Sequence, residues 1–392
     1  MLYLDNAATT PVRREVLEAM WPYLTAEFGN PSSVHTVGER AAVALADARG
    51  RVATVLGVRA SEVVFTSGGT ESDNLAIKGI ALGNPRGRHL VTTAIEHEAV
   101  LESVDYLRRL HGFTVTFAPL SPDGILTPEA LESVLRDDTT LVSVMYANNE
   151  IGTIQDIPAL SAIAATRGIP FHTDAVQAAG WLDLSVRALG VDALSLSGHK
   201  IGAPKGVGVV TLRGRLPIEA LVHGGGQERS RRSGTENVAG AVGLATALEL
   251  AESERTDAAA RLTAMRTEFT SRVRALVPTA VPTGHPEQRL PGHASFCFPG
   301  TSGEAVLLEL ERRGFVSSSG SACAAGSDEP SHVLTALGVS AEVAHTAVRF
   351  TFPASITAGQ LEEVALAVAA SVRSLTRIGG TPATAVGSLR VS

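Results

Sequence analysis

Short, nearly unbroken apolar runs recur through the first half of the chain, each followed by a stretch of helical composition. Residues 62–66, 89–93, 114–117, 140–145, 169–172, 193–196 and 207–211 read as strands, with helices over 97–111, 128–136 and 156–167 between some of them. A strand that is apolar at successive positions is apolar on both faces, so both faces must be covered. Helices crossing between parallel strands supply that cover. The pattern predicts an α/β domain around a mostly parallel sheet. A long Ala-, Leu- and Glu-rich stretch at 237–276 suits a connector helix. Strands at 293–298 and 347–352 and helices near 303–313 and 358–376 form a smaller α+β unit beyond it. The last stretch, 378–392, is rich in Gly, Thr, Ala and Ser and is expected to fray.

Several functional classes lose support early. The net charge of −7 argues against a general nucleic-acid binder. No apolar run approaches the ~20 residues that a membrane helix needs. The start of the chain, MLYLDN, has neither a basic region nor an apolar one, so no secretory signal is expected. Two cysteines, Cys297 and Cys323, make neither a disulfide framework nor a Cys-only zinc site, and a cytoplasmic protein is the simplest reading. The chain lacks a Gly-Lys dipeptide and the G-x-G-x-x-G, G-x-S-x-G and H-E-x-x-H patterns.

Of 33 basic residues only three are lysines: Lys78, Lys200 and Lys205. Arginine stays protonated and cannot act as an amine nucleophile, so each lysine is a candidate for chemistry arginine cannot do. The alternative is a compositional preference for arginine with a few lysines left over. Lys200 follows the run 193–196 in the turn Ser197-Gly198-His199-Lys200. Strand ends of this kind face the crevice where parallel sheets bind ligands, and a desolvated amine there can form a Schiff base. A surface turn lysine is the plain alternative. Asp174 follows the run 169–172, 26 positions before Lys200, where it could pair with a pyridinium nitrogen or simply cap a helix. The run FTSGGTES (65–72) is a strand, a Gly-Gly turn and a helix start, which suits a phosphate on the glycine N–H groups or a plain helix cap by Ser67 and Thr70. Together these features predict a pyridoxal 5′-phosphate site.

Other positions join this list with open alternatives. His97 stands at a strand-to-helix junction and could stack on a ring and shuttle protons, or be an ordinary junction residue. Asn148 and Asn149 follow a strand and could hydrogen-bond cofactor or substrate. Cys323 lies in SSSGSACAAGS (317–327), a run of small residues that reads as an exposed loop with a reactive thiol. Cys297, between two phenylalanines in a strand, reads as core. Arg349 is a charge within an apolar strand and needs a partner, either a substrate carboxylate or an internal acid. Residues 223–234 carry Arg229, Arg231 and Arg232 among glycines and suit an anion-binding or subunit-contact loop, or solvated surface.

The chain resembles the cysteine desulfurases of the class V aminotransferase superfamily. The resemblance rests on YLDNAATTP (3–11), FGNPSS (28–33), FTSGGTESDNLAIKG (65–79), NNEIG (148–152), HTDAVQ (172–177), SGHKIGAPKGVG (197–208), HGGG (223–226), RSGTEN (232–237), SSGSAC (318–323) and VRF (348–350), all in order. It implies a fold-type I pyridoxal-phosphate enzyme with a mostly parallel seven-stranded sheet and a smaller α+β C-terminal domain. On that reading residues 15–255 form the large domain. Residues 1–14 and 256–376 form the small one that carries the cysteine loop, and 377–392 are a disordered tail. The resemblance also implies roles. Lys200 forms the Schiff base with the cofactor, Asp174 pairs with the pyridine nitrogen, and Gln177 bonds the phenolic oxygen. His97 stacks on the ring. Gly69, Thr70, Ser197 and His199 hold the phosphate, and Thr235 reaches the same phosphate from the second subunit of a homodimer. Asn149 lies against the cofactor and binds the substrate carboxylate with Arg349. Lys78 and Lys205 have no role in the pattern.

The implied reaction removes sulfur from L-cysteine to give L-alanine. Lys200 takes the Cα proton, and Cys323 attacks the substrate sulfur and keeps it as a persulfide. The sulfur then passes to an acceptor protein, for iron–sulfur clusters, tRNA thiolation or a thio-cofactor. The runner-up is a selenocysteine lyase or other amino-acid lyase on the same scaffold, against which Cys323 weighs. A non-catalytic pyridoxal-phosphate protein is disfavoured because Lys200, Asp174, His97 and Cys323 are all present.

Overall fold

The computed structural model describes residues 1–84, 86–214, 216–319 and 329–378. The chain runs β1 (Leu2–Tyr3), α1 (Arg14–Thr25), α2 (Thr36–Leu56), β2 (Val63–Thr66), α3 (Gly69–Gly83), β3 (His89–Thr92), α4 (Glu98–His111), β4 (Thr114–Phe117), α5 (Pro128–Val134), β5 (Thr139–Ser143), α6 (Ile157–Thr166), β6 (Phe171–Asp174), α7 (Val186–Leu189), β7 (Ala193–Ser197) and β8 (Gly208–Leu212). It continues through α8 (Val238–Leu276), β9 (Val281–Pro282), β10 (His293–Cys297), α9 (Gly303–Arg312), β11 (Phe315–Val316), α10 (His332–Ala336), α11 (Ala341–Ala344), β12 (Ala347–Thr351) and α12 (Ala358–Ile378).

The main sheet has seven strands in the order β2-β8-β7-β6-β5-β3-β4. From β7 to β4 every pairing is parallel, whereas β8 runs antiparallel to both β2 and β7. The apolar runs predict this mostly parallel sheet, and β5 to β8 are buried at every residue. One face is covered by α3 and α4 through Leu75, Ile77, Ile80, Val100 and Leu107. The other is covered by α2, α6 and the first half of α8 through Val52, Leu56, Leu160 and Leu244. The sixth strand is displaced from the expected 169–172. Pro170 has no N–H for a ladder. Pairing therefore starts with Phe171 opposite Val142 and runs on to Asp174 opposite Ser195.

The connector expected over 237–276 is one continuous helix, α8. Its start packs on the main core, and Leu262, Phe269 and Val273 pack in a second core with Phe296, Phe298, Phe350 and Phe352. That core backs a small antiparallel sheet, β12-β10-β9. The first residues belong with it: β1 pairs with β11, and Leu4 is buried among the same phenylalanines. The chain then crosses to the main sheet, where Thr10 N donates to His199 O (2.9 Å) and Arg13 N to Gly202 O (2.9 Å). The C-terminal helix extends to Ile378, two residues into the stretch expected to be a disordered tail, and 379–392 lie outside the described residues.

Three sequence questions close here. Cys297 is buried in β10, and burial pushes its thiol up to about 11, so it is core. The Lys78 ammonium lies 4.3 Å from the Tyr106 ring centroid, a cation–π contact on the helical face of the sheet. Lys205 is exposed.

The Gly- and Arg-rich loop before α8 is anchored from below. Glu228, Arg229 and Ser230 all have positive φ, at 47°, 57° and 62°, a conformation that costs non-glycine residues energy. The Glu228 carboxylate accepts from Arg49 Nη1 (2.6 Å) and Nη2 (2.7 Å) and from Phe65 N (3.3 Å). Arg49 and Glu228 are both buried. Glu228→Ala would leave a buried guanidinium without its carboxylate, and a loss of about 3–5 kcal/mol is expected. Chemical denaturation of the purified variant checks this, and a midpoint equal to wild type would show that water replaces the pair.

Candidate active site

Asp174, Ser197, His199 and Lys200 stand at the C-terminal ends of β6 and β7, Gly69 and Thr70 in the turn after β2, His97 and Asn149 in the segments that follow β3 and β5, and Arg349 within β12 of the small sheet. The turn after β2 is tight for a packing reason. A Cβ on Gly208 would lie 2.6 Å from the Gly68 backbone, and one on Gly69 would lie 2.9 Å from Val176 Cγ2 and 3.4 Å from Ser197 Cβ. The α3 N-terminus is thereby pressed against Ser197 at the end of β7. Thr70 sits exposed in the first turn of α3. Glu71 accepts from Ser67 N (2.7 Å) and pairs with Arg232 (2.8 Å), which ties the turn to the loop before α8. Thr235 is exposed on that loop and makes no hydrogen bond to the cluster among the described residues.

Asp174 is the last residue of β6 and is buried; its Oδ1 accepts from Val176 N (2.9 Å), so it closes a local turn and caps no helix. Burial raises its pKa, while the nearby His97 ring, the Val176 N–H and the Lys200 ammonium pull against that rise. Gln177 Nε2 donates to Ala7 O (3.0 Å). Lys200 lies in the turn after β7, and its Nζ donates to the carbonyls of Ala7 and Ala8, the latter at 2.8 Å. His199 Nδ1 meets Thr9 Oγ1 at 3.1 Å. Burial, then the charges of Lys200 and Lys205, push its pKa down to about 4, so it is neutral at pH 7.

His97 caps α4, its Nδ1 accepting from Ala99 N (3.1 Å), which fixes the ring at the junction where the sequence places it. Beside it, Glu96 is fully buried. Its Oε1 accepts from Thr93 Oγ1 (2.7 Å) and Met145 N (3.0 Å), while Oε2 is buried without a partner among the described residues. Burial pushes its pKa up to about 8 against an ordinary 4.5. The folded protein therefore keeps a proton that the unfolded chain releases, and stability falls as pH rises between about 4.5 and 8. Glu96→Gln cannot ionise. Its melting temperature is expected to drop several degrees less than wild type between pH 5 and pH 8, and parallel declines would mean that Glu96 is ionised in the fold.

Asn148 is consumed by structure. Its amide donates to Ile95 O (2.8 Å), and its Oδ1 accepts from Glu150 N (2.8 Å) and Ile151 N (2.9 Å). Asn149 is buried, and its backbone carbonyl accepts from Arg349 Nη1 (2.9 Å). Arg349 has the internal acid its burial demands, Asp5, at 2.6 Å from Nη2. Its Nε is buried without a partner among the described residues, so the guanidinium retains donor capacity. Cys323 lies outside the described residues. The chain on either side is tied to the same place: Ser318 N donates to Arg349 O (3.2 Å), Arg349 N to Ser318 O (2.7 Å), and Ser331 Oγ to the Glu150 carboxylate.

The sequence reading misses Asp5, although it quotes the run that contains it, and it misses Glu71 and Glu96. Glu71 and Asp5 stand in recognisable runs, but nothing local names their partners.

The donor set matches pyridoxal 5′-phosphate. Backbone N–H groups of a tight turn with Thr70 and Ser197 hydroxyls suit the phosphate, a buried carboxyl at Asp174 suits a protonated pyridine nitrogen, and the Lys200 amine suits the aldehyde. The glycines let the turn after β2 pack directly against β8 and Ser197, where a Cβ on Gly208 or Gly69 would collide with Gly68 or Val176.

The aminotransferase class-V family profile matches residues 2–364. A relative from Dictyoglomus turgidum, called cysteine desulfurase IscS, is 47% identical over 351 residues, covering 89% of this chain and 89% of that protein. One of the same name from Methanosarcina thermophila is 46% identical over 375 residues, covering 95% and 92%. Among solved structures, a NifS-like protein superposes with a TM-score of 0.89 at 38% identity, covering 95% of this chain and all of its own. On the breadth of these matches, the chain belongs to the aminotransferase class-V family, among its cysteine desulfurases.

Proposed function

We propose that this chain removes sulfur from L-cysteine, giving L-alanine and a persulfide on Cys323. The observation that carries the reading is the strap formed by Asp5 to Ala8. Asp5 holds the Arg349 guanidinium, and the carbonyls of Ala7 and Ala8 hold the Lys200 amine. One four-residue segment thus sets the distance between an amine that exchanges with an amino group and a cation that takes a carboxylate. That is the pair of handles an α-amino acid presents.

Bound pyridoxal 5′-phosphate supplies an electron sink for the electrons of the Cα–H bond. Gly69, Thr70, Ser197 and His199 would hold its phosphate, Asp174 its ring nitrogen and Gln177 its phenolic oxygen, with His97 and Asn149 against the ring. Lys200 Nζ would accept the Cα proton. Arg349 and Asn149 orient the substrate carboxylate. The Cys323 thiolate attacks the substrate sulfur. The new S–S bond forms as the substrate Cβ–S bond breaks, its electron pair stays with Cβ, and Cβ takes up a proton to give L-alanine. The electron pair ends on carbon, and the transferred sulfur is the outer atom of the persulfide, from which it passes to an acceptor or is released as sulfide by a reducing thiol.

The same reading extends to partners. Leu17, Trp21, Leu24, Phe28, Val34 and Val43 expose large apolar side chains on and around α1 and α2. A second copy of the chain would cover them and bring Thr235 to the neighbouring phosphate. An iron–sulfur scaffold or sulfur-relay protein is the proposed acceptor, in the cytoplasm. Among the described residues no helix is long and apolar enough to cross a membrane. We also propose residues 15–255 as the large unit and 1–14 with 256–376 as the small one. The test is stoichiometry. With a reducing thiol, holoenzyme is expected to release L-alanine and sulfide one to one from L-cysteine. Pyruvate and ammonia instead of alanine would sink the reading.

A further inference from the structure

We propose that His293 is a positioning residue for the substrate carboxylate, acting through the backbone carbonyl of Asn149 that it shares with Arg349. The inference rests on the reading of Arg349 as the carboxylate anchor. His293 opens β10 and is 2% exposed. Its Nε2 lies 3.1 Å from Asn149 O, and Arg349 Nη1 lies 2.9 Å from the same oxygen. A carbonyl only accepts, so Nε2 carries the proton and Nδ1 is bare. Nδ1 is buried with no partner among the described residues.

That bare nitrogen is informative. A buried acceptor without a donor is a standing cost, and an apolar side chain of similar size would avoid it. The imidazole also needs a cleared space. A Cβ on Gly152 would lie 2.7 Å from Nδ1, and Gly152 has φ +75°, so the NNEIG run is shaped around this ring. Burial, then the charges of Arg289 and Arg349, hold its pKa well below the usual histidine range, so the ring is neutral. A neutral donor satisfies one lone pair of the carbonyl and adds no positive charge beside the guanidinium that must take an anion. A lysine or arginine there would repel Arg349. With the carbonyl fixed by two donors, the Asn149 peptide cannot rotate, and Arg349 keeps one orientation toward its ligand.

The test uses holoenzyme with His293→Met, which matches length but donates nothing, and His293→Gln, whose amide can replace the Nε2 donor. In H293M the KM for L-cysteine and the calorimetric Kd for L-alanine are expected to rise roughly five- to tenfold, the effect of one hydrogen bond. The kcat should stay within about twofold. H293Q should recover most of the affinity. Binding of cysteamine, which has no carboxylate, should be unchanged in both. Arg349→Ala is run alongside. If R349A leaves L-alanine binding intact, the carboxylate reading itself fails and this inference with it. If R349A weakens L-alanine but H293M does not, or if H293M and H293Q lose affinity equally, the inference is overturned and the reading of Arg349 stands. A fall in melting temperature and kcat with unchanged KM also overturns it.

Discussion

Lys200→Ala holoenzyme is expected to form L-alanine from L-cysteine at least about 10⁴-fold more slowly than wild type, because in the proposed mechanism one side chain both tethers the cofactor and moves the Cα proton. Lys200→Arg should be nearly as inactive. Its guanidinium can still reach the carbonyls of Ala7 and Ala8, but it neither exchanges with an amine nor accepts a proton. Borohydride reduction followed by peptide mapping should place the cofactor on position 200 in wild type. Lys78 is the internal control. It lies over the Tyr106 ring at 4.3 Å, and Lys78→Arg keeps that contact and should keep the rate within about twofold. A K200A variant that retains a few per cent of wild-type rate, or a reduced cofactor found on another lysine, would refute the assignment.

Cys323→Ala is expected to lose at least roughly 10³-fold in L-cysteine turnover while binding cofactor as wild type does, since only a thiolate attacks sulfur efficiently. The chain contains one other cysteine, and it cannot substitute. Cys297 is buried in β10 with its thiol pushed up to about 11, so it is neither ionised nor accessible at pH 7. Cys297→Ala should therefore retain the rate, at a modest cost in stability. The two cysteines make a paired test. Full activity of C323A with L-cysteine would remove the persulfide step. Activity retained with selenocysteine alone would move the chain toward the lyase reading, in which selenium leaves without a protein thiol.

Much of the candidate site was readable because its residues sit at strand ends. Asp174 and Lys200 follow apolar runs one crossover apart, and a parallel sheet brings such ends to one edge. The Gly68-Gly69 turn was readable for the same reason. What sequence could not give was the company these residues keep. Arg349 could have met a substrate or an internal acid, and the acid turned out to be Asp5, 344 positions away. His293 looked like the first residue of a core strand, and its role depends on a carbonyl 144 positions away. Glu96, which the sequence reading passes over, has its titration moved to about 8 by burial among residues distant in the chain.

The sequence alone determined the α/β class, the connector helix, the core placement of Cys297 and the position of Asp174 and Lys200 beside strand ends. Those are local properties: burial on two faces, helical composition and turn glycines are written in consecutive residues. The tertiary structure alone decided the reversed direction of β8, the shift of β6 past Pro170, the Asp5–Ala8 strap and the shared carbonyl of Asn149. An apolar run has the same composition whichever way it is threaded. Partners, desolvation and protonation are likewise sums over atoms that the chain brings together only once it has folded.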